Sequence, residues 1–461
     1  MEINNKKSNP FKKFTNGCVF VMNKYLPDAF IFAIVLTIIT FIGGVALTNQ
    51  SPFQMIMHWA GPKGFFGLLP FTMQMILVLV LGSAMAQAKV FKNLLKKFAR
   101  AAKTPVRGIM ITAFVSVVAC WINWGFGLVI GALLAKEIAR EVKGIDYRLL
   151  IATAYSGFVV WHGGISGSIP LQVANEGALA AVAPEIFDKS FTVATSQTIF
   201  SPMNLFISGI IIFGLPFVCR AMIPDKEHII EVDPAKLIEK ELRVDDVSKF
   251  TPADKMERSR ILWIITLVMG FVYIIYNFTV VGLNLSLDFV NFIFLFVGIL
   301  LHGNLRNYID AITEAASSAG GIILQFPFYA GIMGMMTGGN ADGLSLAAVI
   351  SNAFVSISTI RTFPLFTFWS AGIVNFFVPS GGGQWAVQAP IMMPAGNILG
   401  VTPAKTAMAI AWGDAWTNMI QPFWALPALS IAGLSARDIM GYCVITLLFS
   451  GLVISAGFLI F

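Results

Sequence analysis

The chain has 461 residues, 57% of them apolar and 12% charged, with a formal net charge of +7. Soluble domains run at roughly 45–50% apolar and about 25% charged, so an ordinary water-soluble globule is excluded, and a mean hydropathy of +0.78 assigns most of the surface to lipid. At about 20 residues per crossing there is room for roughly ten membrane segments, and the basic balance is a matter of loop asymmetry before nucleic acid.

A basic N-terminus carrying Lys6, Lys7, Lys12 and Lys13 precedes a first apolar run at 27–48, too long for a signal-peptide core and lacking a small-residue cleavage site. It reads as an uncleaved span, followed by a second at 64–88 and by a basic amphipathic helix at 89–103 suited to the cytoplasmic lipid surface. The stretch 105–138 is too long for one crossing and is broken at Asn123-Trp-Gly-Phe-Gly127, which predicts a re-entrant hairpin. The next span, 147–173, is itself interrupted at Trp161-His-Gly-Gly-Ile-Ser-Gly-Ser-Ile-Pro170. A span at 199–220 leads into a doubly charged stretch, 224–260, read as a cytosolic connector. Spans at 261–281, 285–303 and 319–338 follow. A second hairpin, 362–397, breaks at Asn375-Phe-Phe-Val-Pro-Ser-Gly-Gly-Gly383, and a second interrupted span, 401–430, breaks at Trp412-Gly-Asp-Ala-Trp-Thr-Asn-Met-Ile-Gln-Pro422. The last span is 439–460. Cys18, Cys120, Cys219 and Cys443 are dispersed and indicate neither a disulfide framework nor a zinc site.

The halves repeat. Asn123 precedes Pro170 by 47 residues and Asn375 precedes Pro422 by the same 47, and this offset of 252 pairs His162 with Asp414 and Ser166 with Asn418. With the N-terminus inside, only Lys63, Lys189, Arg361 and Lys405 of the 31 basic residues fall outside. That orientation sends the hairpins in from opposite sides, the signature of an inverted-topology repeat with its ligand near the midplane. The expected fold is an all-α polytopic membrane protein of about nine transmembrane helices, two re-entrant hairpins and two discontinuous helices. Its units are an N-terminal scaffold over 1–104, a first transport unit over 105–173, further scaffold over 174–361 with the linker 221–260, a second transport unit over 362–430, and a final scaffold span over 431–461.

Irregular backbone at membrane depth is stable only where protein or a polar cavity satisfies it, so the four breaks should line a site. They supply helix N-termini for an anion and carbonyl-rich turns for a hard cation. The candidate substrate-binding residues are Asn123, Trp124, Gly125, Ser166, Ser168, Asn375, Ser380, Gly381, Gly382, Gln384, Thr417 and Asn418. All are neutral, so an anion would be held by amides and dipoles. Asp414 is the only charged residue between Thr406 and Ala436, and an ionisable group within a span is by default functional. It is either a sodium ligand or a proton carrier, and the coupling-ion set is completed by Asn123, Gly164, Ser166, Asn375, Asn418 and His162, with Na⁺ at the two hairpin and broken-helix junctions. Gly164-Ile-Ser-Gly167 also matches the G-x-S-G string of intramembrane serine proteases, whose base on a later span could here only be His302. No zinc-protease or Walker motif is present, so an ATP-driven pump and any resident cofactor are not expected.

Tyr25-Leu-Pro-Asp-Ala-Phe30, Ala102-Lys-Thr-Pro-Val106, Asn123-Trp-Gly-Phe-Gly-Leu-Val129, Gly164-Ile-Ser-Gly-Ser-Ile-Pro170, Asn375-Phe-Phe-Val-Pro-Ser-Gly-Gly-Gly-Gln-Trp385 and Gly413-Asp-Ala-Trp-Thr-Asn418 together resemble the AtoE-type short-chain fatty acid transporters, within the wider ion transporter superfamily. The resemblance covers essentially the whole chain. It implies uptake of monocarboxylates such as acetoacetate and butyrate across the bacterial inner membrane by Na⁺ or H⁺ symport, through an elevator-type homodimer. The hairpin tips depart from the Ser-Asn-Thr pattern of the dicarboxylate branch, which argues for one carboxylate rather than two. The alternatives are a transporter of dicarboxylates or aromatic acids and, from another class, an intramembrane serine hydrolase.

Overall fold

A computed structural model describes residues 10–184, 186–237, 250–281 and 287–461. Lys6, Lys7 and the middle of the connector fall outside the described residues. The described chain is all helix: α1 (Pro10–Tyr25), α2 (Ala29–Thr48), α3 (Pro52–Ala60), α4 (Leu69–Gln87) and α5 (Lys89–Ala101) precede the first hairpin. That hairpin is α6 (Pro105–Ile122) and α7 (Trp124–Glu141). The first broken span follows as α8 (Tyr147–Ser156), a 3-10 turn over Gly157–Gly163, and α9 (Ser168–Val173). Next come α10 (Pro202–Ala221), α11 (Pro252–Glu257), α12 (Arg260–Tyr276), α13 (Leu287–His302), α14 (Leu305–Ala316), α15 (Gly320–Thr337) and α16 (Leu346–Val355). The second hairpin is α17 (Phe363–Phe377) and α18 (Gly381–Ile398), the second broken span is α19 (Pro403–Thr417) and α20 (Leu426–Ala432), and α21 (Ala436–Ile460) closes the chain.

The caps explain where these helices begin. Thr104, Asp146, Ser201 and Thr402 each accept a backbone N–H from the first turn of α6, α8, α10 and α19, and proline follows the cap in three of the four, where its missing N–H removes nothing. Seven helical stretches among the described residues are long and apolar enough to cross a membrane. Of these, Pro252–Val281 has only 17% of its apolar window buried and Tyr147–Val173 has 94%. The first therefore lies at the lipid boundary and the broken span at the centre. α2 similarly turns Ile38, Ile42 and Leu47 outward.

Five helices were not expected from the sequence: α1, α3, α11, α14 and α16. At 6 residues for α11, 9 for α3, 10 for α16 and 12 for α14, four of them are too short for a window tuned to a 20-residue crossing to register. α1 is amphipathic and packs along α21. The first broken span also departs from α-geometry earlier than the Trp161–Pro170 string suggests, at Gly157. A Cβ there would lie 2.6 Å from the Ser116 carbonyl carbon, so only glycine lets the span lie against α6 this closely.

The repeated unit is visible in the packing. α6 lies along α8 and the 3-10 turn as α17 lies along α19. The register differs from an ungapped 252 at the tips, however. Asn123 is the N-cap of α7 with φ −151° and ψ 119°, and its structural counterpart is Ser380, the N-cap of α18 with φ −152° and ψ 118°. Asn375 lies in the last turn of α17, and with Thr104 and Thr362 as the N-caps of α6 and α17 the whole second hairpin is offset from the first by 257–258 residues rather than 252. The hairpins also differ in closure: α6 and α7 pack closely on each other, whereas α17 is committed to α19 and α18 divides its contacts between α16 and α19.

The near part of the connector is anchored rather than free. Asp146 Oδ2 accepts the Ile230 amide at 2.9 Å, the Tyr147 amide donates to the Ile230 carbonyl at 2.8 Å, and an Arg140 guanidinium N–H reaches the Leu237 carbonyl at 3.0 Å. Lys12 of α1 pairs with Asp225 at 2.8 Å.

Candidate functional site

Each break brings polar groups to the buried centre. At the first tip the Asn123 side-chain carbonyl accepts the Phe126 amide at 2.9 Å, capping α7. The Trp124 amide donates to Ser166 Oγ at 3.1 Å, so the serine of the first broken span caps the same helix. The Ile165 amide donates to the Trp121 carbonyl at 2.8 Å, stitching the break to the end of α6. Gly125 and Gly164 are buried within this knot, and Ser168 begins α9 half-buried. Ser166 thus acts as a capping acceptor, while His302 stands on α13 with Nδ1 against the Gly298 carbonyl at 2.8 Å.

His162 and Asp414, both 0% exposed, meet across the two broken spans. His162 Nδ1 lies 2.9 Å from the Ala411 carbonyl and 3.0 Å from Asp414 Oδ2. A carbonyl only accepts, so Nδ1 carries a hydrogen aimed at Ala411. The carboxylate is in ion-pair range of that nitrogen but off its N–H line, and neither Asp414 oxygen has a hydrogen-bond donor among the described residues. His162 Nε2 has no protein partner either and faces the second hairpin tip: a Cβ on Gly381 would sit 2.6 Å from it. Trp161 stacks on the imidazole with ring centroids 3.6 Å apart.

A second polar knot joins α17 to the end of α19. The Asn375 amide donates to Thr417 Oγ1 at 3.0 Å and to Asn418 Oδ1 at 3.1 Å, and Thr417 in turn donates to the Gly372 carbonyl at 2.8 Å. Tyr155 of α8 donates to the Asn418 carbonyl at 2.6 Å, tying one broken span to the other. Asn375 Oδ1, Asn418 Nδ2, Gln384 Oε1 and Gln421 Nε2 are buried without a protein partner. Buried amides of this kind are retained at a desolvation cost of about 1–3 kcal/mol each unless something else engages them. At the second tip Ser380 Oγ accepts the Gly383 amide at 3.4 Å, Gln384 reaches back to the Ala371 carbonyl at 3.0 Å, and Gly382 is exposed with open space in front of its Cα.

Aromatic rings fill the space beside the first tip. Trp124, Trp161 and Trp424 lie 5.1–5.8 Å apart by centroid, and Phe158 stacks on Trp161 at 5.5 Å with rings 5° from parallel.

The structure therefore gathers the sequence candidates into three neighbouring groups: Asn123, Trp124, Gly125, Gly164 and Ser166 at the first tip; His162, Asp414 and Gly381 at the crossing; Asn375, Thr417 and Asn418 at the second junction. Gln384 stands over α17, and Ser380 and Gly382 lie at the open edge. Among the described residues no set of three His, Cys, Asp or Glu side chains is grouped as metal ligands. Sequence reasoning passed over Asn204 of α10, whose amide donates to the Gly163 and Ile199 carbonyls and whose Oδ1 accepts Trp412 Nε1 at 2.9 Å. A lone buried amide inside the run 199–220 was the available signal. Tyr155 and Trp424 offered none, since aromatic residues are ordinary in membrane helices.

A polytopic helical protein whose broken helices meet at a buried polar centre has the architecture of a membrane transporter. A family model described as "Short chain fatty acid transporter" matches residues 11–461. A protein of Escherichia coli (strain K12) named "Putative short-chain fatty acid transporter" is 44% identical over 441 residues, covering 95% of this chain and 97% of its own. A Haemophilus influenzae protein of the same name is 43% identical over 439 residues, covering 95% and 96%. The chain belongs to the short-chain fatty acid transporter family and is a multi-pass membrane protein. The solved structure of the Alcanivorax borkumensis YdaH transporter aligns over 93% of this chain and 98% of its own at 16% identity, with a TM-score of 0.41.

Proposed function

We propose that this protein takes up short-chain monocarboxylates such as butyrate and acetoacetate by cation symport across the bacterial cytoplasmic membrane. The observation that carries this reading is the convergence of both broken spans and the second hairpin tip on one buried centre, with spare neutral amides and no Lys or Arg among the described residues that form it. A single carboxylate would take its hydrogen bonds from groups such as Asn418 Nδ2 and Gln421 Nε2, and the short acyl chain would lie toward the Trp124, Trp161 and Trp424 rings. A second carboxylate would find no compensating cation there, which disfavours dicarboxylates.

The transport units 105–173 and 362–430 move together in this reading, elevator-fashion, against a scaffold of 1–104, 174–361 and 431–461 that also supplies a homodimer contact. The N-terminus is cytoplasmic, in keeping with the distribution of basic loops. The coupling ion is Na⁺ or H⁺, and no resident cofactor is involved. The test is counterflow: proteoliposomes preloaded with unlabelled butyrate should take up labelled butyrate faster than protein-free vesicles, with butyrate outcompeting succinate and benzoate. Succinate or benzoate as the better competitor would overturn the substrate assignment. Labelling of Ser166 by a fluorophosphonate would favour a hydrolase instead.

A further inference from the structure

We infer that the coupled ion is a proton and that the His162–Asp414 pair carries it, with the glycines of the second hairpin tip running between that pair and a crevice. The inference rests on the symport reading above and specifies its ion.

The first argument is the donor set. A dehydrated Na⁺ needs a shell of oxygen ligands. Asp414 instead meets a nitrogen of an imidazole that is itself stacked on Trp161. The Ala411 carbonyl that might have joined a sodium shell already receives the Nδ1 hydrogen at 2.9 Å. A proton needs only one lone pair, and among the described residues His162 Nε2 and Asp414 Oδ1 offer lone pairs without a protein partner.

The second argument is charge. With Nδ1–H fixed, the pair carries −1 when no further proton is bound and 0 when Nε2 or the carboxylate takes one. A substrate carboxylate entering beside the unprotonated pair would place two like charges in one buried site. Proton loading keeps the site at −1 with substrate bound, equal to its charge when empty, so proton and monocarboxylate are taken up together and released together. Among the described residues, the ionisable group in ion-pair range of Asp414 is His162, at 3.0 Å. The elements packed on the pair present Asn204 from α10, Trp121 from α6, Gly381 from α18 and no charged side chain from α17, and the titratable groups that α6, α7, α8, α10 and α21 bury elsewhere are Glu137, the Cys120, Cys219 and Cys443 thiols and the Tyr147, Tyr155 and Tyr442 phenols.

The third argument is access. A crevice of about 880 Å³, lined by His58, Lys63, Thr337 and Ser345, reaches Gly383. Gly382 is exposed, and Gly381 faces His162 Nε2, where an added Cβ would lie 2.6 Å from that nitrogen. Three consecutive glycines thus run from crevice to proton acceptor, and Lys63 sits in the loop that the basic-residue distribution places outside.

Labelled-butyrate counterflow should be measured with wild-type protein across about pH 5 to 8, with Na⁺ and then with choline. The apparent affinity should weaken toward about tenfold per unit at the alkaline end and be indifferent to the cation. Asp414→Asn should flatten that profile and abolish accumulation driven by an inward proton gradient above protein-free vesicles, and Asp414→Glu should restore both in part. Collapse in choline, or an unchanged profile in Asp414→Asn, would overturn the inference while leaving the substrate assignment intact. A substrate-free readout separates the two readings. pH-difference infrared spectra of wild-type protein should show a protonated-carboxyl signal that Asp414→Asn removes. Its presence supports the proton site even if butyrate is not carried, and the absence from the wild type of both that signal and a His162 imidazolium signal refutes the site even if butyrate is.

Discussion

Adding one methyl group at either of two adjacent glycines should have opposite consequences. A Cβ on Gly381 would lie 2.6 Å from His162 Nε2, 2.8 Å from Cε1 and 3.1 Å from Trp161 Cη2, whereas a Cβ on Gly382 would meet nothing within 4 Å. The imidazole cannot yield easily, because Nδ1 is held at 2.9 Å by Ala411 and the ring is stacked on Trp161. Overpacking of this kind costs about 1–3 kcal/mol. Alanine in a first helical turn returns about 0.4–1 kcal/mol by restricting the unfolded chain. Gly382→Ala should therefore be neutral to slightly stabilising, and Gly381→Ala should be net destabilised by about 0–2.5 kcal/mol, up to roughly 60-fold in the equilibrium that closes the tip on His162. Thermal melting followed by fluorescence-detected size exclusion reads the stability, and butyrate counterflow reads the tip. If Gly381→Ala melts and exchanges like Gly382→Ala, the tip does not abut His162 and the access argument fails.

Asn375→Ala should lose about 1–3 kcal/mol of stability, because it leaves Asn418 Oδ1 without its donor in a fully buried position; a melting temperature within error of wild type would contradict the second junction as described. Trp124→Leu should widen the aromatic cluster and shift counterflow preference from butyrate toward longer chains by roughly tenfold, about 1–2 methylenes of buried contact; an unaltered chain-length order would place the acyl pocket elsewhere. The Asp254 carboxyl, which accepts from the Thr251 hydroxyl and amide, is held below the usual carboxylate range by those two bonds. A depressed folded-state value gives stability that is present above about pH 4 and lost as pH falls through the folded value, so hydrogen exchange at α11 should quicken only in acid and Thr251→Ala should remove that dependence.

Much of the site was legible because its determinants are local. A glycine-rich polar string inside an apolar run means broken helix, but the equal spacing that paired His162 with Asp414 as repeat equivalents is not the register of the caps, which are 256–258 residues apart, and the two side chains meet at 3.0 Å as neighbours instead. The tip equivalence was misread because Asn123 and Asn375 are the same residue type in similar strings, while the capping role in the second hairpin passes to Ser380, five residues on. Asn204, Tyr155 and Trp424 act through contacts across hundreds of residues of chain, and spacing within one segment carries no trace of those.

The unequal closure of the two hairpins sets where a blocker would act. The arms of the first are packed on each other, so opening them would expose apolar surface, but α18 is held by α16 and α19 rather than by its own partner α17. A carboxylate with a bulky tail, seated with its head group at the second junction, would prop that looser arm away from His162 without unpacking the hairpin. Such a molecule would arrest the carrier from the crevice side alone, and the same compound offered from the opposite face would meet only the closed pair of helices.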